Sequence, residues 1–147
     1  MPCVRFRTMA QFRVLIVEDD LLIAADVEET LHESGCDVCG VAASQEDALI
    51  IAESARPEFA VVDVELSPGD GRIVARELTV RYGTAVLFAT GNSVDPTELA
   101  RYGAGGCLPK PYDSRDVLPA LAAVRDIRAG RSPGHLPGGM IAFSRWA

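Results

Sequence analysis

Acidic side chains follow two apolar stretches of the sequence, at positions where a folded chain can use them for chemistry. Asp63 comes directly after residues 60–62, and Glu18 and Asp19 come directly after residues 12–17. A carboxylate beside a buried stretch must be paired or must bind a cation, because burying an isolated charge is very unfavourable. Taken alone, Asp63 fits a helix-capping aspartate equally well. The acids after the first apolar stretch, together with one lysine and one threonine elsewhere in the chain, favour a functional site.

One lysine and one threonine complete the set of candidate residues. The chain has thirteen arginines and a single lysine, Lys110, which stands between two prolines after an apolar stretch. Lysine carries a compact ammonium on a flexible stem, so it suits a site that places one ammonium beside a carboxylate and a phosphoryl group. Thr90 ends another apolar stretch and offers a hydroxyl to a phosphoryl oxygen, although threonine also ends many strands.

Alternating apolar and amphipathic stretches predict the elements that position these side chains. Short runs rich in β-branched residues are typical of strands buried on both faces, and the segments between them have helical apolar spacing. The predicted strands are residues 12–17, 37–41, 60–63, 84–89 and 106–108, and the predicted helices are 21–31, 45–55, 72–82, 96–102 and 114–128. Pro119 lies inside the last helix, so we expect that helix to begin late or to be kinked.

Five strands that alternate with five helices predict an α/β fold. We expect a flavodoxin-like, doubly wound (βα)5 sandwich with a parallel five-stranded sheet in the order 2-1-3-4-5. The strands of such a sheet end at one edge, where ligands bind, so Glu18, Asp19, Asp63, Thr90 and Lys110 should meet there. Three carboxylates in one crevice need a cation to remain ionised, and oxygen ligands at this density favour Mg²⁺.

The chemistry that these residues support together is phosphoryl transfer onto a carboxylate. Asp63 is the predicted nucleophile. Mg²⁺ and Lys110 are expected to neutralise the charge on the transferred group. The third consecutive acid, Asp20, is expected to cap the following helix instead.

Length and charge limit the classes of protein to which the chain can belong. At 147 residues it fits one globular domain, and no apolar run approaches the ~20 residues that a membrane span needs. The net charge is −7, and residues 13–129 carry −11 because both ends are basic. This acidic body argues against nucleic-acid binding and suits a site that gathers cations. We expect a cytoplasmic protein with no nucleic-acid or membrane partner.

Composition also predicts where the domain begins and ends. Residues 1–11 are predicted to be an N-terminal extension, residues 12–129 the domain, and residues 130–147 a glycine- and proline-rich tail whose apolar residues are able to dock on another surface. Cys36 and Cys39 fall in one predicted strand, where residues three apart face opposite sides. A role as small buried apolar residues is therefore favoured over a zinc or redox site.

Four motifs taken together resemble the receiver domain of bacterial two-component response regulators. They are residues 14–20, 61–63, 89–91 and 108–112. The resemblance covers about residues 12–129. It implies that Asp63 accepts a phosphoryl group from a sensor histidine kinase or a histidine phosphotransferase in a phosphorelay. It also implies that Thr90 and Lys110 are the catalytic residues that contact this group.

The resemblance further implies a metal site and a mode of signalling. Mg²⁺ would be bound by the side chains of Glu18, Asp19 and Asp63 and by the backbone carbonyl of Glu65. The protein would catalyse only its own phosphorylation and dephosphorylation, and it is not expected to be an enzyme in the wider sense. We expect a stand-alone receiver that signals by protein contact without a DNA-binding output domain. The sequence is compatible with a homodimer.

The sequence departs from the family pattern in three places. Cys107 stands where an aromatic switch residue usually precedes the lysine by three positions, so the coupling of Thr90 to that ring must differ. The stretches on either side of Thr90 are short, which predicts a reduced fourth helix. Pro68 lies one place later than the usual loop proline.

Three alternative functions compete with the signalling receiver. A haloacid-dehalogenase-like phosphatase is suggested by Asp63 and Glu65, which faintly resemble its paired acids, but that family places its nucleophile on an N-terminal strand. A phosphate sink in a phosphorelay is the second alternative. The third, a scaffold that works without phosphate, is disfavoured by Asp19, Asp63 and Lys110.

Overall fold

The computed structural model describes residues 12–91 and 95–143, and strands and helices alternate through most of this length. The predicted N-terminal extension lies outside the described residues. The elements are β1 (Arg13–Val17), α1 (Leu21–Glu33), β2 (Asp37–Ala42), α2 (Gln45–Ala55), β3 (Phe59–Asp63), α3 (Gly71–Tyr82), β4 (Ala85–Thr90), α4 (Pro96–Leu99), β5 (Gly106–Pro109), α5 (Val117–Arg128) and β6 (Ile141–Ala142).

The sheet has the order β2-β1-β3-β4-β5-β6. Strands β1 to β5 pair in parallel, so the α/β flavodoxin-like fold and the order 2-1-3-4-5 are confirmed. The short strand β6 was not predicted, and it pairs antiparallel with the outer edge of β5. Part of the predicted tail therefore folds back onto the sheet, which has six strands rather than five.

The helices cover the sheet on both faces because the central strands are apolar along their whole length. Every residue of β3 and β4 is buried. One apolar cluster joins the sheet to α2 and α3, and the other joins it to α1 and α5. Cys36 belongs to the second cluster and Cys39 packs against the first, so the prediction that they face opposite sides as apolar residues is confirmed.

The helix boundaries follow from their capping residues. Asp20 accepts hydrogen bonds from the backbone N–H groups of Leu22 and Ile23, and it thereby caps α1 as predicted. The last helix, α5, begins at Val117 after a short 3-10 turn, so Pro119 falls in its first turn and causes no break. The fourth helix has only four residues, which confirms the predicted reduction.

A segment that we call the C-terminal strap, residues 137–143, carries β6 and covers the edge of β5. Its buried residues Met140 and Phe143 pack into the clusters on opposite faces of the sheet. The strap approaches closely because Gly106 has no side chain; a Cβ there would lie 2.8 Å from the backbone oxygen of Ile141. None of the helices in the described part of the chain combines the length and apolar character of a membrane span.

Candidate functional site

The parallel strands bring the predicted site residues to one edge of the sheet. Glu18 directly follows β1, Asp63 ends β3, Thr90 ends β4 and Lys110 directly follows β5. Helix α3 begins against this edge because its first residue is Gly71; a Cβ there would collide with the backbone carbonyl of Asp63. The parallel topology therefore assembles the site, and Gly71 allows α3 to begin beside it.

Three carboxylates form a cluster at this edge that is able to hold a metal ion. Glu18, Asp19 and Asp63 each offer one oxygen, and these oxygens all lie within 4.8 Å of one another. Glu18 and Asp63 are each only 3% exposed. Asp19 is half-buried and accepts a hydrogen bond of 3.1 Å from the backbone N–H of Ser67. Oxygen ligands of this kind fit a hard cation such as Mg²⁺.

Lys110 lies between the two buried carboxylates of the cluster. Its Nζ is 2.9 Å from Oε1 of Glu18 and 3.2 Å from Oδ2 of Asp63. The ammonium thus neutralises part of a charge that would otherwise be costly to bury. A flexible lysine stem suits this contact with two acids at the ends of different strands.

Burial shifts the protonation equilibria of this group. Desolvation raises the pKa of Glu18 to about 7, although hydrogen bonds from the Asp20 N–H and from Lys110 oppose the rise. Desolvation lowers the pKa of Lys110, but its hydrogen bond to Glu18 and the charges of Asp63 and Glu18 outweigh that effect and leave the pKa above its ordinary value. Lys110 therefore stays a charged ammonium between Glu18 and Asp63.

Thr90 lies at the same edge but contacts a residue that was predicted to act only through its backbone. The Thr90 hydroxyl donates to Oε2 of Glu65 at 3.0 Å, and the Gly91 N–H donates to Oε1 of Glu65 at 3.1 Å. The Glu65 N–H in turn donates to Oδ1 of Asp63 at 3.1 Å. Sequence reasoning missed this side-chain contact, and the only local signal for it was an acid two residues after Asp63.

Cys107 occupies the predicted switch position as a fully buried residue of β5, only 2% exposed. It belongs to the apolar cluster that also holds Leu99 of α4, Phe88 of β4 and Phe143 of the C-terminal strap. Burial raises the pKa of its thiol. Aromatic rings are thus present in this cluster, but they come from β4 and from the strap and not from β5.

A cavity of about 500 Å³ opens beside Lys110. Its lining includes Leu22, Asp26, Gly91 and Tyr112. Desolvation by burial raises the pKa of Tyr112 to about 12, so its hydroxyl stays protonated at neutral pH. The cavity gives access to the site from solvent next to Lys110, past the largely exposed side chain of Leu22.

Comparison with known proteins places this arrangement in a family. A family model of the response regulator receiver domain matches residues 14–122. The transcriptional regulatory protein PdtaR of Mycobacterium tuberculosis is 35% identical over 111 residues, which are 74% of this chain and 54% of that protein. The transcriptional regulatory protein AruR of Pseudomonas aeruginosa is 31% identical over 142 residues, which are 91% of this chain and 58% of that protein.

A solved structure supports the same conclusion. The chemotaxis response regulator CheY4 of Vibrio cholerae superposes with a TM-score of 0.70 at 28% identity, covering 78% of this chain and 98% of that one. The chain spans little more than half the length of the two regulatory proteins that it matches. From the match over most of its length and from its fold, the chain belongs to the family of response regulator receiver domains.

Proposed function

We propose that this receiver domain accepts a phosphoryl group on Asp63 from the phosphohistidine of a sensor kinase or a histidine phosphotransferase. The observation that carries the proposal is the position of Asp63, buried at the end of β3 and within 3.2 Å of the only lysine of the chain. A structural carboxylate would not require the two further acids that lie within 4.8 Å of it.

The transfer step follows from the position of these side chains. A carboxylate oxygen of Asp63 attacks the phosphorus atom, and the bond from phosphorus to the imidazole nitrogen breaks. The imidazole leaves with the bonding electron pair, and Asp63 becomes an acyl phosphate. Lys110 moves its hydrogen bond from the carboxylate to an oxygen of the transferred group, and Thr90 donates its hydroxyl to another. Attack by water later releases inorganic phosphate and restores the carboxylate.

The acidic cluster supports a Mg²⁺ site built from Glu18, Asp19 and Asp63, with the backbone carbonyl of Glu65 as a further ligand. When bound, the ion supplies positive charge against the oxygens of the transferred group. The chain itself orients the ligands: the Ser67 N–H holds Asp19, and the Asp20 N–H holds Glu18 at 3.0 Å. These backbone donors restrict the rotation of the carboxylates before any ligand binds.

The protein is proposed to signal in the cytoplasm through contact with other proteins. It would catalyse only its own phosphorylation and dephosphorylation and would not turn over other substrates. Leu21 and Leu22 are 73% and 83% exposed beside the site, and apolar side chains of this kind suit a protein partner. The related proteins PdtaR and AruR are named transcriptional regulators. This chain matches only about half of each of those two proteins.

Labelling with a small phosphodonor tests the proposed phosphorylation site. In the presence of Mg²⁺, acetyl phosphate should transfer one phosphoryl group to the wild-type protein and none to Asp63→Asn, as measured by intact mass. The exposed, distant substitution Glu53→Gln serves as the control and should be labelled like wild type. Full labelling of Asp63→Asn at another residue would contradict the assignment, and turnover of a phosphomonoester would support the phosphatase alternative.

A further inference from the structure

Two hydrogen-bond donors of Thr90 and Gly91, at the end of β4, are directed at one carboxylate. Glu65 lies in the loop after β3, and its two oxygens each accept one bond, from the Thr90 hydroxyl at 3.0 Å and from the Gly91 N–H at 3.1 Å. Thr90 is 6% exposed, whereas the side chain of Glu65 is exposed. A solvated carboxylate therefore reaches inward and is held at two points.

This arrangement resembles the binding of an anion. A carboxylate and a phosphoryl group both present negatively charged oxygens, and both form strong charge-assisted bonds with O–H and N–H donors. The Thr90 hydroxyl has one proton to donate, and the Gly91 amide has one. While Glu65 accepts both, neither proton is available to a phosphoryl oxygen on Asp63.

We infer that Glu65 is a positioning residue whose carboxylate competes with the phosphoryl group for the Thr90 hydroxyl and the Gly91 N–H. This inference rests on the proposed phosphorylation of Asp63. Phosphorylation then requires an exchange of acceptors: the Glu65 carboxylate leaves, and the phosphoryl group takes over its two donors. The contact lowers the affinity of the site for the phosphoryl group and is lost in the phosphorylated protein.

The position of Glu65 makes this exchange feasible. Its side chain is exposed, so water can solvate the displaced carboxylate at little cost. Its backbone N–H donates to Oδ1 of Asp63 at 3.1 Å, and this bond holds Glu65 close to the new negative charge. Repulsion between the phosphoryl group and the carboxylate favours the released position of the Glu65 side chain. The backbone, which is proposed to bind Mg²⁺, does not have to move.

Affinity for beryllofluoride, a phosphoryl mimic, tests the competition in the full chain at saturating Mg²⁺. Glu65→Ala should bind beryllofluoride about tenfold more tightly than wild type, because two charge-assisted bonds no longer have to be broken. Glu65→Gln should show a smaller gain, since its amide oxygen is a weaker acceptor. Asp26→Asn is the matched control; it removes one negative charge from the cavity beside Lys110 and Gly91 and should change the affinity much less.

Hydrogen exchange at the Gly91 amide gives a direct readout of the contact. This amide should exchange slowly in wild type, rapidly in Glu65→Ala, and slowly again in that variant once beryllofluoride is bound. Fast exchange in the wild type would overturn the inference. So would an affinity gain in Glu65→Ala no larger than that of Asp26→Asn, since only the loss of a charge would then matter.

The same experiments separate this inference from the proposed function. If wild type binds beryllofluoride and is labelled on Asp63 but the Glu65 variants behave like wild type, the competition is refuted and the phosphorylation site stands. If wild type neither binds the mimic nor is labelled on Asp63, the proposed function fails and the inference fails with it.

Discussion

Three consecutive acids at the end of β1 have three different environments. Glu18 is buried and contacts Lys110 at 2.9 Å. Asp19 is half-buried and faces the loop after β3, where it accepts from the Ser67 N–H. Asp20 is exposed and caps α1 with two hydrogen bonds from backbone N–H groups. Their roles therefore differ although their side chains are nearly alike.

This difference predicts unequal effects on metal binding. Asp19→Asn should weaken Mg²⁺ binding roughly tenfold, because it removes the charge of a proposed ligand. Asp20→Asn should leave the affinity nearly unchanged, since asparagine caps a helix as well as aspartate does. Titration of Mg²⁺ followed by NMR or fluorescence measures both. Equal losses in the two variants would show that Asp20 shares the metal site.

At the scale of elements, the C-terminal strap completes the edge of the sheet. Only two of its residues pair with β5, and three of its residues are buried: Pro137, Met140 and Phe143. Phe143 also bonds through its backbone N–H to the carbonyl of Gly105 at 3.0 Å. Since Cys107 is small, this ring supplies apolar volume to the cluster around β5.

Removing this ring should therefore destabilise the domain. Phe143→Ala is expected to lower the free energy of unfolding by about 3 kcal/mol, at the low end of the range for buried aromatic residues. Ile141→Ala is the control on the same strand; its side chain is 40% exposed, and its loss should cost less than about 1 kcal/mol. Urea unfolding followed by circular dichroism compares them. A small loss in both variants would mean that the strap is not docked in solution.

At the scale of the whole molecule, the site lies at the end of β4, and the surface around α4 follows β4 in the chain. The Lys110 N–H donates to the Thr90 carbonyl at 2.8 Å, so β4 and β5 end together. Helix α4 is fixed by buried Leu99 and by an ion pair of 3.2 Å between Arg72 and Glu98. A helix of only four residues is able to reorganise without disturbing the sheet.

We therefore expect phosphorylation to change the α4 region more than any other surface. Beryllofluoride with Mg²⁺ should increase amide protection across residues 95–103, because a phosphoryl group holds Thr90 and its loop inward. Amides of α2 should be unaffected and serve as the internal control. Mass-spectrometric hydrogen exchange measures both regions. Protection confined to the ligand residues would instead favour the phosphate sink.

Much of the fold and the acidic part of the site were predictable from the sequence. Apolar stretches alternate with amphipathic ones, and connection rules leave few topologies, so the strand order and the common edge follow from pattern alone. Because acids end two of those strands and the only lysine follows a third, Glu18, Asp63 and Lys110 were expected to meet.

The tertiary structure decided two kinds of contact: those that depend on the direction of a loop side chain, and those made where the C-terminal strap folds back onto the sheet. The pairing of Glu65 with Thr90 joins residues 25 positions apart through a loop, and no periodicity describes a loop side chain. The docking of the strap depends on the space that Gly106 leaves at an edge strand, which appears only once β5 is in place. Local pattern determined which strands exist and where they end, because burial imposes periodicity. Distant partners were decided by packing, because several side-chain positions satisfy the same pattern and only the folded chain selects one.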